Sequence, residues 1–385
     1  MDQGVGGKAM GAADAGPGHG ARTLGYAARS SSARLRPMQF DRAAAGHGEI
    51  EIEILFCGVC HSDIHQVKND WSNTVYPCMP GHEVVGRVIR TGPGATRHAV
   101  GDVVGIGCMI SSCGMCAPCR EGDQNYCEGP NGWLATYNGP TVPAKSAQDG
   151  RNIYGCDNTF GGYSTHYTVR EDFALKIPPS LKPEVAAPIL CAGVTTYSPM
   201  KHWGVKAGDH VGVIGFGGLG DMAVKLALAM GARVTVFTRT AEKLEQARRL
   251  GAEGVREGGA QELSKLANSF DFILSTVPEK HDLNPYIPLL KRDRTIVCVG
   301  ALEKMGSYNN MQVVFKRKSI AGSLIGNLED TQEVLDFCAE KGIGPDIEII
   351  RMQEINVAMK RVEDGEVRFR YVIDMASLRE EAAGA

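Results

Sequence analysis

From Glu49 onward apolar and polar positions alternate: Ile50, Ile52, Ile54 and Phe56 fall on one side, Glu49, Glu51 and Glu53 on the other. A period of two predicts a β-strand with one solvated face. Shorter β-type runs at residues 84–89 and 102–106, separated by Gly, Pro and Asn, extend this pattern to about residue 178 and predict a small all-β domain without helices. After Cys191 the period changes. A β-branched run at residues 210–214 enters a glycine-rich turn, and Leu219, Met222, Ala223, Leu226, Ala227 and Met230 then recur at helical spacing. Strands are predicted at 233–237, 270–276 and 295–299, and helices at 242–250 and 284–290. Such alternation implies a parallel sheet with crossover helices. A helix over 331–341 leads to a final β-rich stretch ending at 371–373, placed to rejoin the first domain and leave the α/β unit as an insertion.

Composition sharpens this picture. The first twenty residues hold seven glycines and no apolar period, as a flexible tail does. Arg22, Arg29, Arg34 and Arg36 beside Ser30, Ser31 and Ser32 faintly suggest a transit peptide, but Asp2, Asp14 and the glycines oppose it. Length (385 residues), 43% hydrophobic and 22% charged residues suit two globular domains. The balance of 41 basic against 44 acidic residues gives −3, which argues against nucleic acid or anionic lipid as a partner. With neither a membrane-length apolar run nor a secretory signal, the expected compartment is the cytoplasm. Twelve cysteines in a reducing compartment point to metal binding rather than disulfides.

Three constellations carry chemistry. Cys113, Cys116, Cys119 and Cys127 are separated by two, two and seven residues, a spacing that suits a closed, tetrahedral structural zinc site. An iron–sulfur cluster and unliganded thiols are the alternatives; the seven-residue gap differs from the bacterial ferredoxin run. A second set is dispersed: Cys60 and His61 in Gly-Val-Cys-His-Ser-Asp, then His65, then Gly81-His82-Glu83, then Cys191. Two cysteines and a histidine are the ligands of an open catalytic zinc, although by spacing alone they read more readily as satisfied core residues. The third is Gly215, Gly217 and Gly220, a G-x-G-x-x-G turn between a strand and a helix, which lets a pyrophosphate approach the helix N-terminus. Where an NAD enzyme places a carboxylate at the end of the second strand, this chain has Thr238, Arg239 and Thr240, with Lys243 one turn on. That favours NADP, unless Arg239 is a solvated loop residue beside an NAD site.

Taken together, these residues resemble the zinc-dependent medium-chain alcohol dehydrogenases, in particular their cinnamyl alcohol dehydrogenase-like branch of NADPH-preferring aldehyde reductases. The resemblance runs from Arg36 to Met375 through residues 58–62, 81–86, the four-cysteine lobe, 191–197, 215–220, 316–326 and 367–374. It implies an α/β chain. A GroES-like β-barrel catalytic domain would span residues 23–192 and 328–385, with a structural zinc lobe at 108–127. A Rossmann doubly wound parallel sheet would span 193–327, and residues 1–22 would be a disordered tail.

The same resemblance implies two zinc ions per chain, the catalytic one on Cys60, His82 and Cys191 with Glu83 able to enter, the structural one on the four-cysteine lobe. Asp63 would orient the ligating imidazole, and Ser62 and His65 would relay the alcohol proton. NADP(H), rather than NAD(H), would bind Gly215, Gly217, Gly218, Leu219, Gly220, Thr238, Arg239, Thr240, Lys243 and Ser323. Trp71 and Trp133 fall where the branch lines its substrate pocket, or are structural tryptophans. The implied reaction is hydride transfer between NADP(H) and an alcohol/aldehyde pair, in the direction of aromatic or medium-chain aldehyde reduction, by a cytoplasmic homodimer. A zinc-free quinone or enone reductase on the same plan and a non-enzymatic zinc-binding interaction protein are the rival readings. Asp221 after the last fingerprint glycine and Cys156 within an insert at 152–159 depart from the family pattern. Cys57, Cys78, Cys108, Cys156, Cys298 and Cys338 would be free thiols.

Overall fold

Ile50, Ile52 and Ile54 lose all solvent exposure, and the strand that carries them is the centre of the first sheet. The computed structural model describes residues 20–129, 134–139, 159–256, 260–300, 303–366 and 370–384. Strands β1 (Arg22–Ala27) and β2 (Arg36–Asp41) form an antiparallel pair. Next come β3 (Glu49–Gly58), β4 (Val84–Thr91), β5 (Val103–Ile106), β6 (His166–Arg170) and β7 (Leu175–Lys176). Helices α1 (His61–Lys68) and α2 (Ala117–Glu121) interrupt them. Past α3 (Pro183–Pro188) and α4 (Val194–His202) the chain enters strands β8 (His210–Ile214), β9 (Arg233–Thr238), β10 (Glu253–Arg256), β11 (Phe270–Ser275), β12 (Leu290–Cys298) and β13 (Ser319–Gly322). Helices α5 (Gly218–Ala229), α6 (Ala241–Arg249), α7 (Ala260–Lys265) and α8 (Asn310–Val314) lie between them, and α9 (Leu328–Lys341) follows.

These six strands form a parallel sheet in the order β10-β9-β8-β11-β12-β13, so the strand order reverses between β8 and β11. Ligands bind at such a switch point, beyond the carboxyl ends of the strands. Every residue of β8 and β11 is buried, as central strands covered on both faces must be. Strands β14 (Ile347–Arg351) and β15 (Arg370–Asp374) return to the first sheet, where β15 pairs β3 and the order is β14-β15-β3-β4-β5-β7, with β6 also on β3. The chain thus forms a seven-stranded, largely antiparallel sheet, shared by strands β3 to β7 and the returning β14 and β15, joined to a six-stranded parallel sheet inserted between them.

Several sequence expectations need correction. The region before residue 178 is not all-β, because Ile64 and Val67, one turn apart, bury one side of α1. The outer face of β3 is not wet at Glu51, which is 1% exposed between its cross-strand neighbours Arg90 and Thr168. Residues 284–290 form no α-helix: Pro285 and Pro288 lack the N–H groups a helix needs, so only the 3-10 turn Ile287–Leu289 forms and β12 starts at Leu290. The last segment is mixed rather than β-rich, since α10 (Ile355–Glu363) and α11 (Ala376–Gly384) flank β15. Strand β1 begins at Arg22, inside the expected tail. Trp133, Cys156, most of the 152–159 insert and Val367 lie outside the described residues.

Candidate active site

Cys60 is the N-cap residue of α1, in extended conformation where β3 gives way to the helix. Three residues on, Asp63 turns its carboxylate back and accepts from Cys60 N at 3.0 Å. The same buried carboxylate accepts from Gly81 N at 3.0 Å, pairs with His82 Nδ1 at 2.9 Å and receives the Tyr163 hydroxyl at 3.3 Å. One side chain therefore ties the helix start to the 81–83 turn. Cys191 arrives on a π-helical turn (Ile189–Gly193), all five residues of which are buried, between α3 and α4. One ligand atom each from Cys60, His82, Glu83 and Cys191 lies within 4.8 Å of the others, and all four residues are buried.

This donor set fits a zinc ion. Nε2 of His82 is buried without an oxygen or nitrogen partner while Nδ1 is occupied by Asp63, so the free nitrogen lies where a metal ligand belongs. The hydrogen bond from the Cys191 thiol holds the Cys60 thiol well below its ordinary range. Glu83 is held differently. Its Oε1 pairs with the guanidinium of Arg370, its Oε2 has no partner, and burial pushes its carboxyl up to about 7 against the pull of that arginine.

The lobe sulfurs of Cys113, Cys116, Cys119 and Cys127 also lie within 4.8 Å of one another, although three of these four residues are partly exposed. Backbone N–H groups point at them: Met115 N and Cys116 N reach Cys113 Sγ at 3.4 and 3.3 Å, and Glu128 N reaches Cys116 Sγ at 3.4 Å. Those N–H groups pull the Cys113 thiol down to about 6. Four sulfurs with no oxygen or nitrogen donor among them fit a closed zinc site.

Between the two sheets runs a cleft of about 1360 Å³. It holds both the donor cluster and the glycine turn. Gly215 has φ +86°, a left-handed conformation that suits glycine, and a Cβ on Gly220 would meet the Gly215 carbonyl oxygen at 2.4 Å. A Cβ on Gly217, the N-cap of α5, would meet nothing, so the helix N-terminus stands open to the cleft. That opening fits a dinucleotide pyrophosphate. Thr238 is buried at the end of β9; Arg239, Thr240 and Lys243 line the cleft beyond it, and Thr240 caps α6. Gly218, Leu219 and Ser323 line it too.

Ser62 and His65 face the same space from α1, with His65 Nδ1 2.8 Å from Asp70 Oδ2. Trp71 lines it as well, its ring centroid 5.7 Å from that of His65. Among the described residues, then, most of the sequence-derived set lines one cleft, whereas Asp63, Glu83 and Gly220 are buried outside its lining and the four-cysteine lobe lies apart. Three participants were not singled out as site residues from the sequence, although Arg370 falls within the 367–374 segment and Cys108 at the start of the 108–127 lobe. Arg370 links Glu83 to the glycine turn, since a Cβ on Gly218 would lie 2.5 Å from its Cδ, and its buried Nε has no partner. Tyr163, on no motif, anchors Asp63. Cys108, expected to be an ordinary free thiol, lines the cleft and hydrogen-bonds Cys191. Only its place just before the cysteine lobe could have flagged it.

Comparison with known proteins agrees. Residues 46–179 match the alcohol dehydrogenase GroES-like domain family and residues 218–340 the zinc-binding dehydrogenase family. The aldehyde reductase YahK of Escherichia coli (strain K12) is 46% identical over 354 residues, which cover 91% of this chain and 97% of that protein. The solved cinnamyl alcohol dehydrogenase SbCAD4 of Sorghum bicolor superposes with a TM-score of 0.85 at 40% identity, over 92% of this chain and 98% of that one. The CAD of Helicobacter pylori, solved with NADP(H), gives 0.82 at 36% identity over the same shares, 92% and 98%.

Proposed function

We propose that this chain, which belongs to the zinc-dependent medium-chain alcohol dehydrogenases, reduces aromatic or medium-chain aldehydes to primary alcohols with NADPH. The observation that carries this reading is His82 Nε2, buried with no oxygen or nitrogen partner and set among the sulfurs of Cys60 and Cys191 in the cleft that also holds the glycine turn. Cys60, His82 and Cys191 would hold one zinc, with Glu83 in reserve, and the lobe cysteines a second. When bound, the cleft zinc supplies Lewis acidity to a carbonyl oxygen and the nicotinamide supplies hydride.

The protein's own groups do the rest. Asp63 fixes the proton of His82 on Nδ1 and leaves Nε2 free to ligate. Ser62 passes a proton between substrate and His65, which Asp70 orients near solvent. The α5 N-terminus and Arg370 offer positive charge to a pyrophosphate, and Arg239 with Lys243 offers it to the 2′-phosphate that distinguishes NADP. Trp71 and the buried Tyr137 give the substrate end an apolar, aromatic wall. The described cysteines form no disulfides, in keeping with a reducing compartment such as the cytoplasm; among the described residues no helix is long and apolar enough to cross a membrane. A homodimer is supported by Met311, Val314 and Phe315, which are 56%, 62% and 75% exposed on and beside α8, next to the edge strand β13.

The test is to follow NADPH and NADH oxidation against cinnamyl, benzyl and aliphatic aldehydes. NADPH should give a kcat/KM at least about tenfold above NADH, and Arg239→Ala should erase most of that difference. Absence of turnover with every aldehyde, or metal content well below two per chain in active protein, would overturn the reading and revive the zinc-free alternative.

A further inference from the structure

The segment that joins β13 to α9 lines the cleft through Ser323, Leu324 and Ile325, yet it belongs to neither element. Both backbone polar groups of Leu324 are met by lobe side chains: Asn125 Nδ2 donates to its carbonyl at 2.8 Å, and its N–H donates to the Tyr126 hydroxyl at 3.2 Å. The two preceding lobe residues grip the same segment further along. Asp123 Oδ1 accepts from Asn327 Nδ2 at 3.1 Å, and Gln124 Oε1 accepts from Leu328 N at 3.5 Å. Four consecutive lobe residues thus each hold one point of the stretch from 324 to 328. Asn327 transmits the grip into α9, because its Oδ1 caps that helix at Asp330 N, 2.7 Å away.

On the opposite side the segment meets α4. A Cβ on Gly326 would lie 2.4 Å from Val194 Cγ2 and 2.9 Å from Ser198 Cβ, so the backbone is pressed against the helix that follows the Cys191 turn. Between these two holds Ile325 has φ +43°, a left-handed conformation that a β-branched residue adopts only when its surroundings impose it.

We infer that the four-cysteine lobe is a clamp on the wall of the cleft, with Asn125 and Tyr126 as positioning residues that fix Leu324 and Ile325 where they shape the aldehyde site. The lobe cysteines keep residues 123–126 in register, the side chains of those residues hold the 324–328 segment, and the segment presents Leu324 and Ile325 to the substrate. This deepens the aldehyde-reductase reading of the cleft and rests on it.

Tyr126→Phe removes only the acceptor of the Leu324 N–H, on a side chain 45% exposed, and should fold normally. Asn125→Ala is the more severe second variant. In the metal-loaded full-length protein, amide exchange at Leu324 should speed up by about tenfold or more in either variant. KM for benzaldehyde and hexanal should rise by about fivefold or more while kcat changes by less than about twofold, with metal content unchanged. A purely structural role would lower thermal stability and leave KM where it is. Unchanged exchange at Leu324, or faster exchange with an unchanged KM, would overturn the clamp. Should the wild-type protein reduce no aldehyde, the cleft reading fails by itself and the exchange result still decides whether the lobe holds the segment.

Discussion

The two cysteine clusters are both compact and oppositely built. In each, four ligand atoms lie within 4.8 Å of one another. The lobe draws them from residues 113–127, all sulfur, on short turns and a five-residue helix, with three of the four residues partly exposed. The cleft draws them from an N-cap, a loop and a π-helical turn spread from residue 60 to residue 191, all buried, with nitrogen and oxygen among the donors. The lobe meets the Cys113 and Cys116 sulfurs with backbone N–H groups, which every residue but proline supplies. The cleft depends on particular side chains: Asp63 for His82, Arg370 for Glu83. A closed all-sulfur site suits structure, whereas a mixed set with one donor held back by an arginine leaves room for a substrate.

The contrast breaks most sharply if the two clusters respond alike to losing one cysteine. Cys60→Ser should lower aldehyde turnover by at least about a thousandfold with Tm nearly unchanged, because in the proposed reading Cys60 helps hold the metal used in the reaction. Metal analysis should then find the lobe ion retained. Cys116→Ser should do the reverse first: Tm should fall by roughly 10 °C or more in a calorimetric scan, since structural metal binding is folding free energy. If Cys116→Ser left Tm intact, the lobe would not be the structural partner in this pair.

The same difference explains what could be read from the sequence. The lobe and the glycine turn were legible because their chemistry is contiguous: four cysteines within fifteen positions, three glycines between a strand and a helix. The cleft donors were legible only through family resemblance, since nothing in the spacing of Cys60, His82 and Cys191 announces that an N-cap, a loop and a π turn converge. The parallel sheet followed from periodicity, down to the short β-branched run of β8, every residue of which is buried. Helix α1 did not, because eight residues with two buried aliphatics, Ile64 and Val67, carry too little period to stand out. Arg370 and Tyr163 were missed for a different reason: Arg370 falls within the 367–374 segment and Tyr163 after a pair of glycines, but what each does depends on long-range contacts, to Glu83 and to Asp63, that spacing does not show.

A subtler change sharpens the comparison further. Asp63 accepts from Cys60 N and the Tyr163 hydroxyl on one oxygen, and from Gly81 N and His82 Nδ1 on the other. In Asp63→Asn one of those oxygens becomes an NH2 donor. With the amide oxygen toward His82, the NH2 faces the Cys60 N–H, donor against donor. With the amide reversed, His82 Nδ1 must accept, which moves its proton to Nε2 and blocks the nitrogen a metal would use. Either orientation weakens the cleft site, so its metal affinity in a chelator competition should fall by about 10- to 100-fold. The lobe ion should be released at the wild-type rate, because the hydrogen-bond partners of Asp63 are Cys60, Gly81, His82 and Tyr163 and none lies in the lobe. Equal weakening of both ions would mean that the variant had loosened the whole fold, and the distinction between a side-chain-oriented site and a backbone-oriented one would fall with it.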